Sequence, residues 1–243
     1  IVTRIYTDEG ITGEAYGGDE DMTQGEIVAL IRQYLALLLV GEDPRDVERL
    51  WEKMFNCKVD LGNRGLHQLD MRNRGILTQA IAAIDNALWD LLGKLYHTPV
   101  YKLLGGYRDR VQVIAIGGYY GGENGRDQLR DEMLYYRQIG MAGVKFKVGR
   151  LSIGDDIERV SRARRAVGDD FIIACDANQA WTPEQAIGCG RVPPSGRIRW
   201  LEEPCHWYDD LAGMRRVRER TGVPVTAGQS EITKYGCQAL VRG

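Results

Sequence analysis

The chain has 243 residues, 44% hydrophobic and 27% charged, the make-up of an ordinary globular protein with material for one large domain or two unequal ones. Its formal net charge is −2, with acids and bases interspersed, which argues against nucleic-acid binding and against a polybasic membrane anchor. The longest apolar run, LALLLV at 35–40, is too short for a bilayer, and no charged-then-apolar leader is read at the start, so a cytoplasmic home is expected.

IVTRIYTDEGITGEAYGG alternates apolar and polar residues around Asp8-Glu9-Gly10 and predicts a β-hairpin, entered as if a first strand were missing before it. From Thr23 to Val40 the apolar residues keep helical spacing, with Thr23 and Glu26 as a capping box. A short helix is expected over 46–55. Residues 56–75, rich in Gly and Asn, are expected to be a loop. A long helix follows from Ile76 to Tyr96; its stripe of Leu77, Ala80, Ile81, Ile84, Leu88 and Leu91 becomes nearly all-round apolar with Ala83, Ala87 and Leu92, so it should be buried. His97-Thr98-Pro99 ends it.

After Gly105-Gly106 the pattern becomes strand and helix in alternation. The strands are VQVIAIGGYY, GVKFKVG, FIIACDANQ, IRWLEEP and VPVTAGQSE, and such a repeat implies parallel pairing in an open sheet or a barrel. The helix opened by Thr182-Pro183-Glu184 meets Gly188, Gly190, Pro193, Pro194 and Gly196, which should stop it after about two turns. The five cysteines are scattered without a C-x-x-C spacing and are read as free thiols.

Chemistry concentrates at the strand ends. In VKFKVG, Lys145 and Lys147 share one face of a strand and Val144, Phe146 and Val148 the other. Asp176, the pair Glu202 and Glu203, and Glu231 stand at the carboxyl ends of the three following strands, where parallel α/β folds build their sites. Charges gathered in a core need partners, and oxygen ligands without histidine suit Mg²⁺ or Mn²⁺. Beside another lysine and a cation, one lysine would have its pKa lowered and could serve as a general base. That is a device for removing the proton α to a carboxylate.

The sequence resembles the enolase superfamily, in its mandelate racemase and muconate lactonizing enzyme branch, whose lysine-plus-Mg²⁺ chemistry is a known pattern. The resemblance rests on AIDNALWDLLGK (83–94), TPVYKLLGG (98–106), VKFKVG, CDANQAW (175–181), WLEEP (200–204) and AGQSE (227–231), in family order. It implies an α+β capping domain over residues 1–105 and a modified TIM-type (β/α) barrel over 106–243, truncated after five barrel strands. It further implies Lys147 as the base, Lys145 as its neighbour touching the substrate carboxylate, and Asp176 and Glu202 as metal ligands, with Asn178 beside the metal. The third ligand is expected at Glu231, with Gln229 as its in-register rival, because relatives carry a Glu directly after the glycine of that strand. Tyr16 to Asp21, and the 56–75 segment, would close over the substrate, and His206 would pack or line the pocket rim.

The expected reaction is Mg²⁺-dependent dehydration or racemization of a small hydroxy acid or acid sugar, by a homo-oligomer. The alternatives are a cycloisomerase or epimerase of the same superfamily, or an inactive truncated fragment, since the histidine-aspartate dyad or second lysine of relatives is absent from these residues.

Overall fold

A computed structural model describes residues 1–17, 23–60, 62–68, 74–121, 125–191 and 197–242. The chain divides into two compact units, Ile1–Asp109 and Arg110–Gly243.

The first unit is α+β. Strands β1 (Val2–Tyr6) and β2 (Thr12–Tyr16) form the expected antiparallel hairpin, in a register that sets Val2 opposite Tyr16. Helix α1 (Gln24–Leu30) passes through a π-helical turn (Ile31–Leu35) into α2 (Ala36–Leu39). The capping box expected there does not form: Thr23 is the N-cap, but its hydroxyl is buried and has no hydrogen-bond partner among the described residues. Helix α3 (Val47–Phe55) buries Val47, Leu50 and Met54.

The segment expected to be a loop contains a second hairpin instead, β3 (Lys58–Asp60) against β4 (Leu66–Gln68) around a tight turn at Gly62–Arg64. The residues that suggested a loop are its turn, since Gly62 and Gly65 sit at φ of 64° and 75°, which only glycine adopts without strain. Helix α4 (Arg74–Leu95) is the buried spine, with Leu77, Ala80, Ile81, Leu88 and Leu91 among its inward residues. The chain then reverses at His97 into α5 (Val100–Leu103).

β2 lies directly on α4. Asp90 accepts the Glu14 N–H at 2.7 Å and the Lys94 ammonium at 2.7 Å, and Lys94 also donates to the Thr12 carbonyl at 2.8 Å.

The second unit alternates strand and helix: β5 (Ile114–Gly117), α6 (Gly125–Gln138), β6 (Gly143–Lys147), α7 (Ile153–Val167), β7 (Ile172–Asp176), α8 (Pro183–Gly190), β8 (Leu201–Glu202), α9 (Asp210–Thr221), β9 (Val225–Thr226) and α10 (Lys234–Arg242). The five strands pair in parallel and in chain order, β5-β6-β7-β8-β9. That is the order of a barrel, and it lacks the reversal of a doubly wound sheet. Right-handed crossovers that always step the same way leave the helices on one face. On that face Val144, Phe146, Ile173, Cys175 and Leu201 meet apolar residues of α6 to α9 in one buried core.

Helix α8 opens with a complete capping box between Thr182 and Gln185 and ends at Gly190, two turns on as its composition predicts. A Cβ at Gly190 would lie 2.7 Å from Thr221 Cγ2, so the glycine lets α8 and α9 approach. Residues 192–196, including Pro193 and Pro194, lie outside the described residues. No described helix is long and apolar enough to cross a membrane.

Candidate active site at the carboxyl ends of the strands

Strand register brings the chemistry together. Lys147 is paired with Asp176, Asp176 with Glu202, and Glu202 with Thr226, so the final residues of β6, β7, β8 and β9 make one row across the sheet. Because Val144 and Phe146 take the helix-facing side of β6, Lys145 and Lys147 project to the opposite face, where Asp176 and Glu202 also stand.

Lys145 Nζ donates to Asp176 Oδ2 at 2.7 Å and to Glu202 Oε1 at 2.9 Å. Lys147 Nζ donates to the same Asp176 Oδ2 at 2.7 Å and to Asn178 Oδ1 at 2.6 Å. The other Asp176 oxygen accepts the Asn178 N–H at 3.0 Å, and Trp200 Nε1 donates to Glu202 Oε2 at 3.4 Å. The Asp176 side chain is fully buried, and those of Lys145 and Lys147 are 11% and 18% exposed.

The electrostatics follow from these contacts. Burial works to raise the Asp176 carboxyl, but hydrogen bonds from Lys145, Lys147 and the Asn178 N–H outweigh it and hold the group below the usual carboxylate range. Burial also works to lower the Lys145 ammonium, yet its bonds to Asp176 and Glu202 prevail and raise it. Lys145 is therefore not a depressed lysine, because it donates to two carboxylates at 2.7 and 2.9 Å.

Three non-glycine residues at the strand ends have left-handed backbone, Asn178 (φ 43°), Gln179 (φ 64°) and Glu203 (φ 38°). Such residues cost on the order of 1–3 kcal/mol each and persist only where their surroundings dictate them. Here backbone bonds run from Gln179 N to Glu203 O at 2.7 Å and from Glu203 N to Thr226 O at 2.8 Å.

Glu203 is a residue whose role sequence reasoning missed. Its carboxylate is buried and accepts the N–H groups of Gly228 and Gln229 at 3.2 and 2.9 Å, fastening the AGQSE loop to the end of β8. The only signal for it was the doubled acid in WLEEP, which reads equally well as a surface charge.

The remaining candidates are dispersed. The Glu231 carboxylate sits against Gly236 of α10. Among the described residues, no group of three or more His, Cys, Asp or Glu side chains is arranged to hold a metal ion. Gln229 is exposed, with its N–H held by Glu203. His206 is exposed, its ring 4.4 Å from that of Tyr208 and 5.5 Å from that of Trp207. Tyr16 ends β2 in the first unit and is 82% exposed; residues 18–21 of the loop that follows lie outside the described residues.

Comparison with known proteins agrees with the strand-end motifs. Residues 1–105 match the family profile of the mandelate racemase / muconate lactonizing enzyme N-terminal domain, and residues 128–243 match that of the enolase C-terminal domain-like family. The chain belongs to the enolase superfamily, in its mandelate racemase and muconate lactonizing enzyme branch.

Within that branch it is 35% identical to the arabinonate dehydratase of Saccharolobus solfataricus and 31% identical to the L-talarate/galactarate dehydratase of Salmonella typhimurium, in each case over 100% of this chain. It spans 62% and 58% of the lengths of those two proteins. A mandelate racemase/muconate lactonizing enzyme from a marine actinobacterium, solved in complex with magnesium, is 45% identical and superposes with a TM-score of 0.88, over 99% of this chain and 64% of that one. Other relatives in the branch are cycloisomerases, an epimerase and a racemase.

Proposed function

We propose that the protein abstracts the α-proton of a carboxylate substrate with Lys147, in the presence of Mg²⁺, and that the reaction is dehydration of an acid sugar. The observation that carries this reading is the row in which Lys147, Asp176 and Glu202 end three neighbouring strands, with Lys145 bonded to both acids. Residues 1–105 would serve as the capping domain and 106–243 as the catalytic one.

The donor set fits the metal. Asp176 and Glu202 are neighbouring carboxylates without imidazole or thiolate between them, and hard oxygen donors suit Mg²⁺. Asp176 and Glu202 would hold the ion, and the third position falls to Gln229, whose backbone is fixed by Glu203, or to Glu231. When bound, Mg²⁺ would supply positive charge against the substrate carboxylate and so favour the enediolate.

The chain's own residues do the rest. Lys147 Nζ, oriented by Asn178 Oδ1, receives the α-proton, which must lie within about 3 Å of it. Lys145, kept charged by two acids, offers an ammonium to the substrate carboxylate. The β-hydroxyl then leaves as water with a proton from the same side, where Lys147 is protonated once it has taken the α-proton. The dehydratases among its relatives support elimination over racemization.

Deuterium exchange tests the assignment. Arabinonate and galactarate are incubated with enzyme and Mg²⁺ in D₂O, and the α-proton is followed by NMR. Lys147→Ala should slow exchange by about 10²–10⁴-fold, the usual range for a general base, and leave Mg²⁺ affinity within about threefold, since the base is not a ligand. Exchange at the wild-type rate in that variant would refute the base.

A further inference from the structure

We infer that Arg159 is a positioning residue for Lys147, acting through the backbone of β6; the inference rests on the proposed role of Lys147 as base. β5 leaves the sheet one residue too early to hold that lysine. The last β5–β6 pair is Gly117 with Phe146, so Lys147 has a strand neighbour only on the β7 side, at Asp176. Beyond that pair, two backbone carbonyls face the gap, those of Gly118 and Lys147.

Arg159, from α7, bridges them. Its Nη1 donates to the Lys147 carbonyl at 2.7 Å and its Nη2 to the Gly118 carbonyl at 2.6 Å. The guanidinium thus takes the place of the missing rung, which a strand could not fill with two acceptors and no donor. The planar fork matters here, because a lysine ammonium cannot span both carbonyls in one plane.

The fork is itself held. Its carbon lies 4.0 Å from the centre of the Tyr120 ring and 5.6 Å from that of Phe146. Asp156, one turn earlier on α7 and fully buried, meets Arg159 Nη1 at 3.3 Å and accepts the Tyr120 hydroxyl at 2.8 Å. The second Asp156 oxygen accepts the Gly149 N–H at 2.7 Å, and the Tyr120 oxygen accepts the Arg150 N–H at 3.1 Å. One buried carboxylate and one guanidinium therefore fasten the end of β5, the end of β6 and the turn after it to α7.

A charge pair placed only for stability would gain little over apolar packing. Here the pair reaches backbone on both sides of the proposed base, at the Lys147 carbonyl and the Gly149 N–H, and at the Gly118 carbonyl across the gap. Catalytic geometry tolerates displacements of only about 0.5 Å, and a shift of about 1 Å costs rate on the order of 10²-fold.

The test compares Arg159→Lys and Arg159→Ala with wild type, using galactarate α-proton exchange in D₂O with Mg²⁺, Mg²⁺ affinity by calorimetry, and acetylation of Lys147 relative to Lys145 by acetic anhydride, read by peptide mass spectrometry. The expected result is a fall in kcat of about 10–100-fold in both variants, with KM and Mg²⁺ affinity within about threefold. Added guanidinium should recover at least about fivefold of the Arg159→Ala rate, and the Lys147 to Lys145 acetylation ratio should move at least about threefold. Folded variants with wild-type kcat and an unchanged acetylation ratio would overturn the inference. So would a loss in which KM, metal affinity and thermal stability fail together and guanidinium recovers nothing. Should wild type exchange no α-proton, the base assignment falls, while the acetylation ratio still decides whether Arg159 sets the place of Lys147.

Discussion

Asp176→Asn asks whether Lys145, Lys147, Asp176 and Glu202 hold one another. The carboxylate accepts Lys145 and Lys147 at 2.7 Å each and the Asn178 N–H at 3.0 Å, and its side chain is fully buried. An amide of the same shape keeps one acceptor and presents N–H groups where the other stood, so Glu202 remains as the one carboxylate, bonded to Lys145, and Lys147 keeps only the neutral Asn178 Oδ1. Removing one partner of a buried charged set costs about 3–5 kcal/mol. The lysines retain 11% and 18% exposure, which places the loss near the lower end, about 3 kcal/mol. With a urea m-value of about 2 kcal/mol/M, the unfolding midpoint of the metal-free protein should fall by about 1.5 M at pH 7.

Tryptophan fluorescence reports the transition, since Trp181 is buried in the core of the second unit and Trp200 immediately precedes β8. The pH dependence has a definite sign. Asp176 titrates below its ordinary value in the folded state, so its contribution is complete above the unfolded pKa of about 3.9 and is lost as pH falls through the lower folded value. Lys145 is shifted upward, so its share is complete below about 10.4 and is lost only as pH rises through the raised folded value. The gap between variant and wild type should be level from about pH 5 to 9 and shrink in acid. A midpoint within about 0.3 M of wild type at pH 7, or a gap that does not shrink in acid, would refute the reasoning.

Gly13→Ala should lower the melting temperature by about 5 °C, because the new Cβ would lie 2.2 Å from the Ala87 carbonyl oxygen and 2.7 Å from Leu91 Cβ, an overpacking cost of about 1–3 kcal/mol. An unchanged melting curve by circular dichroism would show that β2 does not rest on α4 as described. Calorimetric Mg²⁺ titration separates the rivals for the third ligand. Gln229→Glu should tighten binding at least about fivefold and Glu231→Gln change it less than about twofold, since added charge in a ligand set raises affinity and Glu231 lies against α10. The reverse pattern would assign Glu231. Glu203→Gln should destabilise the protein by about 1–3 kcal/mol through the backbone donors of Gly228 and Gln229, read in the same urea assay, and a neutral result would refute its fastening role.

Much of this was legible from local pattern. The alternation of apolar and polar residues is enough for the first hairpin, the all-round apolar run for the burial of α4, and five strand-helix repeats for a parallel sheet, because periodicity is a local property of the chain. The K-x-K spacing alone puts Lys145 and Lys147 on one face, since side chains alternate along a strand.

What the tertiary structure decided was everything that depends on residues far apart in the chain. Strand register set Lys147 opposite Asp176 and Asp176 opposite Glu202, and so determined which acids meet which lysines. Asp156, Arg159 and Glu203 read as ordinary charges of a helix and a loop until the fold turns them onto backbone groups at the ends of the strands. The upward shift of Lys145 has the same origin, because a pKa depends on distances to groups 31 and 57 residues away, which no local spacing encodes.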